Sequence, residues 1–91
     1  MPSQDAFEQA KQRFLDGLQA FQAQRFDAAE QLFQSSLALL PGRVSTLVNL
    51  AATQVKLLRP QEALATAEQV LAVEPGNADA WVYKATGLGQ L

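Results

Sequence analysis

The chain contains neither cysteine nor histidine. Without cysteine there is no disulfide and no thiolate metal site. Without histidine the commonest general base and the commonest transition-metal ligand are both missing. Charge of one sign is scarce as well: seven basic residues stand against nine acidic ones, for a net charge of -2, and neither sign forms a run. Nucleic-acid binding needs a basic face that neutralises phosphates, and scattered Lys and Arg do not supply one, so no nucleic-acid partner is expected. No apolar stretch approaches the roughly 18–20 residues that span a bilayer, so no membrane insertion is expected either. The N-terminal MPSQDAFEQ is polar and acidic, unlike a signal peptide, and a cytoplasmic location is the expectation. At 91 residues the chain makes one small domain, whose stability rests on efficient helix packing or on association.

Alanine, leucine and glutamine are abundant, while glycine and proline sit at a few punctuating sites, which favours an all-helical chain. The punctuation is regular. Pro41-Gly42 recurs as Pro75-Gly76, a period of about 34 residues, and the same shift aligns Arg25 with Arg59, Ala29 with Ala63, Leu37 with Leu71 and Ala38 with Ala72. It also carries Gly17 onto Ala51 and Ala85, and Leu47 onto Trp81. So many coincidences at one period indicate a duplicated structural unit. Helical periodicity predicts a first helix from Gln4 to Gln22 behind a Ser3 cap, with Phe7, Phe14, Leu18 and Phe21 on one stripe. A second runs from Asp27 to Leu39, with Ala29, Leu32, Phe33, Leu37 and Leu40 inward, and Pro41-Gly42 stops it. The third spans Val44 to Leu57. The fourth starts near Pro60, which a first helical turn tolerates, and ends before Pro75. Asn77 caps a fifth helix from Ala78 to Leu88, with an end that Gly87 and Gly89 weaken.

These residues resemble the tetratricopeptide repeat family over nearly the whole chain. Gly17, Phe26, Ala29, Phe33 and Pro41 carry the likeness in a first repeat of about residues 10–43. Leu47, Leu50, Ala51, Ala63 and Pro75 carry it in a second of about 44–77, and Trp81 and Ala85 in a partial third, 78–91. Arg13 and Pro60 depart from the pattern, standing where a bulky apolar residue and an aromatic are usual. The resemblance implies an all-α, right-handed superhelical solenoid of five helices: two full repeats plus the first helix of a third. Gly17, Ala51 and Ala85 would then let helices approach closely, with Ala29 and Ala63 opposite them.

The resemblance further implies a protein-interaction scaffold, with no catalysis, cofactor or metal, whose concave groove takes a peptide or a helix of another protein. Carried over residue by residue, the groove candidates are Phe14, Leu18, Phe21, Val48, Asn49, Ala52, Val55, Lys56, Val82 and Tyr83. Lys11, Leu15, Gln22, Ser45, Asp79 and Thr86 lie beside them. That face is more apolar than charged. Of the constellation by which some members grip a C-terminal carboxylate, only Asn49 is present, so such tails are not the expected ligand.

Plainer readings stand beside these. Phe14, Leu18, Phe21 and Val55 also fit an ordinary core, Tyr83 a packing residue, and Asn49 a solvated amide. Asp27, Glu30 and Glu62 sit in first helical turns, where carboxylates complement exposed N–H groups. No serine has a histidine to activate it, and Gly87-x-Gly89 lacks the preceding strand and following helix of a phosphate loop. Because a second helix should follow the fifth, one flank of the fifth helix, around Trp81 and Leu88, is left without cover. The expectation is the N-terminal part of a larger protein that, when isolated, self-associates as a homodimer through that edge. Two alternatives are the targeting or assembly arm of an enzyme with a downstream transferase domain, and a small dedicated chaperone.

Overall fold

Ser3 opens the first helix as its chemistry predicts, its hydroxyl accepting from the Ala6 N–H at 3.1 Å. The computed structural model describes residues 3–91, among which there are five α-helices and no strand. They are α1 (Gln4–Gln22), α2 (Phe26–Leu39), α3 (Val44–Lys56), α4 (Pro60–Val73) and α5 (Ala78–Gln90). Each helix packs on the next in sequence, α1 on α2 and α3 on α4 as antiparallel hairpins, and α3 also lies beside both α1 and α5. The result is a slab of 39 × 29 × 17 Å built from two hairpins and the opening helix of a third.

The two turns inside the hairpins repeat each other in geometry. Gln24 and Leu58, at equivalent positions of the two units, are both left-handed, with φ of 62° and 57°. In each turn the following N–H reaches back five residues, Arg25 to the Ala20 carbonyl at 2.8 Å and Arg59 to the Gln54 carbonyl at 3.0 Å. That pattern satisfies carbonyls a helix end leaves unpaired, and it usually recruits glycine. Neither position is glycine here, so the sequence carries no signal for the turn. Between the hairpins Gly42 does adopt the left-handed turn expected of it, with φ of 76°.

The core is split in two. Ala29, Phe33 and Leu50 form one cluster, flanked by Phe14, Leu18, Phe21 and Leu37. Leu47, Val70 and Ala80 form the other, flanked by Val44, Val48 and Leu71. The expected close approaches are present in the first two hairpins: Gly17 and Ala29 are buried on α1 and α2, and Ala51 and Ala63 on α3 and α4. Ala85 differs. It is exposed, because no helix among the described residues lies over that flank of α5.

α5 also runs further than its glycines suggest, to Gln90 rather than Leu88. The reason is tertiary: Gly87 is buried against α4, where a Cβ would lie 3.1 Å from the Pro60 carbonyl oxygen. Close backbone packing there outweighs the low helix propensity of glycine, which costs about 1 kcal/mol relative to alanine. The departure at Arg13 is accommodated at the surface, where its guanidinium donates to the Ser35 hydroxyl of α2.

Polar groups join the hairpins. Glu30 is buried, and its carboxylate takes a hydrogen-bonded ion pair from Arg59, the residue that opens α4. That bond first, and then the charge of Glu30, raise the Arg59 guanidinium above its ordinary pKa. Glu30 therefore does more than complement a helix terminus. It pins the turn of the second hairpin to the start of α2. Inside the hairpins, the Ser36 hydroxyl donates to the Ala10 carbonyl at 2.7 Å and the Thr66 hydroxyl to Gln54 Oε1 at 2.7 Å, both buried. No helix among the described residues is long and apolar enough to cross a membrane.

Candidate functional site

The opening helices of the units, α1, α3 and α5, run side by side and share one face. Alternation along each helix decides what that face presents, since residues three and four apart lie on one stripe. On α1 the stripe carries Lys11 and Leu15, both exposed, above Phe14, Leu18 and Phe21, which are half-buried and packed around Ala29, Phe33 and Leu50. On α3 it carries exposed Ser45 and Lys56 and half-buried Val48, Asn49 and Val55, while Ala52 is buried beneath them. On α5 it carries exposed Asp79 and Val82 and half-buried Tyr83 and Thr86. The reachable surface is thus a strip of Leu15, Val48, Val55 and Val82 edged by two lysines and an aspartate. Phe14, Leu18, Phe21 and Ala52 lie lower and form its floor.

Hydrogen bonding narrows what the polar members can offer. The Asn49 amide donates through Nδ2 to the Ser45 carbonyl one turn earlier, at 2.8 Å. The Asn49 main-chain carbonyl accepts from the Thr53 hydroxyl at 2.7 Å. Among the described residues nothing donates to Asn49 Oδ1, which therefore remains an acceptor for a peptide N–H. Thr86 turns its hydroxyl back to the Val82 carbonyl at 2.8 Å. The Tyr83 hydroxyl is pushed above its ordinary pKa of 10.0, by burial first and by the carboxylate of Asp79 one turn away second. It stays a neutral donor throughout the physiological range.

One neighbour was not legible from the sequence. The Arg43 guanidinium, at the start of α3, lies 5.8 Å from the centre of the Phe14 ring on α1, a cation–π distance. The contact depends on how closely α1 and α3 approach, and no pattern in the sequence links residues on two such separate elements. A shallow cleft of about 220 Å³ lies between α1 and α2, lined by Asp16, Gln19, Ala20, Ala23, Arg25, Ala28 and Leu32. None of the residues proposed from the sequence lines it. No group of three among the described Asp and Glu residues is placed to hold a metal ion.

The flank around Trp81 and Leu88 is a separate surface. The three α3 residues that face α4 have register partners on α5, one repeat further along, and the two sets have opposite fates. Leu47 is 5% exposed and Trp81 50%; Gln54 is 4% exposed and Leu88 52%; Ala51 is buried and Ala85 is not. α4 makes the difference, since it covers the first set and only the opposite side of α5. Trp81 is nonetheless fixed in place. Its indole N–H donates to the Pro75 carbonyl at 2.7 Å, and the Lys84 ammonium sits 5.1 Å from the ring centre.

Comparison with known families matches residues 20–85, most of the chain, to the family described as tetratricopeptide repeat. The same sequence matches no curated protein.

Proposed function

Because the chain belongs to the tetratricopeptide repeat family, whose members mediate protein–protein interaction, we propose that it holds an extended peptide or a helix of another protein along the face shared by α1, α3 and α5, in the cytoplasm. The observation that carries this reading is the continuity of the strip. Leu15, Val48, Val55 and Val82 offer apolar contacts on all three helices, and Asn49 Oδ1 offers one acceptor in the middle of them. Apolar side chains of a bound segment would settle between these residues, and its backbone N–H would meet the amide. Lys11 on α1, Lys56 at the end of α3 and Asp79 at the start of α5 favour a segment with acidic residues toward α1 and α3 and a basic one toward α5.

The test is capture of binding partners on the immobilised chain, repeated with Val48→Glu and with Tyr83→Ala. Both positions are partly exposed, so the helices should persist, as circular dichroism will show. The expected outcome is that one and the same polypeptide is lost from both variants. Undiminished capture by helical variants would place the binding surface elsewhere.

A further inference from the structure

Of the seven Lys and Arg residues, only Arg59 and Lys84 pair with a carboxylate among the described residues. Lys11, Arg13, Arg25 and Lys56 have none, but they are exposed and water solvates them. Arg43 is different. It is half-buried, and its Nη1 is shut off from solvent with no hydrogen-bond acceptor among the described residues. A cation removed from water without a partner is unfavourable. Its own helix adds to the imbalance. Arg43 stands at the N-terminal end of α3, where the free N–H groups are already positive, and no acidic residue lies in the first turn.

We infer that Arg43 is the residue by which the groove selects its ligand, taking the carboxylate of an Asp or Glu side chain that apolar residues flank. This rests on the groove reading above and narrows the chemistry of its ligand. The Arg43 guanidinium lies 5.8 Å from the centre of the Phe14 ring, and Phe14 belongs to the floor of the groove. The ring backs the planar fork and limits its motion, so little order is lost when a carboxylate docks on the fork. Such a carboxylate can accept two N–H bonds at once and neutralise the charge that the fold leaves uncompensated.

The surroundings on α1 supply the flanking contacts. Phe7, Lys11 and Leu15 follow one another at four-residue intervals and so lie on one stripe, with Lys11 one turn before Phe14. Phe7 is 51% exposed and Leu15 43%. A second cation thus stands between two accessible apolar side chains, next to the ring that Arg43 covers. An acidic side chain with an apolar neighbour on each side matches that order of groups.

The experiment is selection of binders from a random peptide library on the immobilised chain, followed by affinity measurements with synthetic copies of the enriched peptides. Those peptides should lose binding to Val48→Glu and to Tyr83→Ala, and should share one Asp or Glu between apolar residues. Replacing that acid by its amide in the peptide should weaken binding about tenfold, the scale of one hydrogen-bonded charge. The same replacement should change nothing on Arg43→Gln, and selection on Arg43→Glu should enrich Lys or Arg in place of the acid. Because the amide replacement is made in the peptide, the central measurement does not depend on how a protein variant folds. Peptides that need Val48 and Tyr83 but show no acid, or whose acid is equally important on a helical Arg43→Gln, overturn this inference and leave the groove reading standing. Absence of any peptide that depends on Val48 and Tyr83 overturns both.

Discussion

In the first hairpin Gly17 of α1 lies against the ring of Phe33 in α2; in the second the same two positions hold Ala51 and Ala67, both fully buried. Both pairs are buried, but they differ in bulk, a benzyl group facing no side chain in one and two methyl groups in the other. All five phenylalanines fall in α1 and α2, and α3 and α4 contain no aromatic residue at all. One hairpin places a large side chain over a missing one, while the other shares the space between two methyl groups. What recurs is a small residue at the crossing position on the first helix of each pair, where close packing admits nothing larger. The size of the residue facing it is not constrained in that way, which explains why a repeat can keep its geometry while its sequence drifts.

Phe33→Ala should produce the largest effect. It deletes a fully buried ring that also packs against Phe14 with centroids 5.9 Å apart, and it leaves Gly17 facing a void. Loss of about 3–5 kcal/mol is expected from urea unfolding. A loss below about 1 kcal/mol would mean that α1 collapses onto α2 and that the ring does not set their spacing.

Gly17→Ala comes next. Its Cβ would sit 2.6 Å from Phe33 Cε1, and the buried ring has no room to yield. The overpacking should outweigh the helix-propensity gain of about 1 kcal/mol and leave a net loss of about 1–2 kcal/mol. Two double variants sharpen the comparison. Gly17→Ala with Phe33→Ala gives the first hairpin the alanine pair of the second, and should cost less than the two single losses together, with coupling of about 1 kcal/mol or more. In the second hairpin, Ala67→Phe alone should be disruptive, and Ala51→Gly added to it should restore part of the loss. Strict additivity in both hairpins would break the claim that the two positions of each pair share one packing space.

The smallest effect concerns what the two hairpins share. Leu58 holds a left-handed conformation that a β-carbon disfavours, while 74% of its surface faces solvent. Leu58→Gly should therefore raise the melting temperature modestly, by a gain of up to about 1 kcal/mol. Gln24→Gly should behave alike, since its turn has the same geometry. A gain in one hairpin only would show that the turns are less equivalent than their hydrogen bonds imply.

Much of the architecture was readable in advance, and the reasons are local. α1 begins and ends where Ser3 and Gln22 predicted, α4 begins at Pro60, and Asn77 caps α5 by accepting from the Ala80 N–H at 2.9 Å. Caps, breakers and helical periodicity act within a few residues, so the chain announces them directly. The site was readable only as a set of positions on one stripe. Which members stand proud, such as Leu15 and Val82, and which form a floor, such as Phe14 and Ala52, depends on how far neighbouring helices overlap them. The Arg43–Phe14 contact and the Glu30–Arg59 pair were invisible for the same reason: each joins residues from different elements whose separation only packing sets.

The sequence alone determined five helices, the period at which they repeat and the small residues at the helix crossings, because propensity, capping and periodicity are properties of adjacent residues. The tertiary structure alone decided three other things. It closed two turns through left-handed residues that are not glycine, buried Glu30 beneath Arg59, and set Arg43 beside the Phe14 ring. Those outcomes arise from the apolar area that one helix can remove from water on another, a quantity that does not exist until the helices meet.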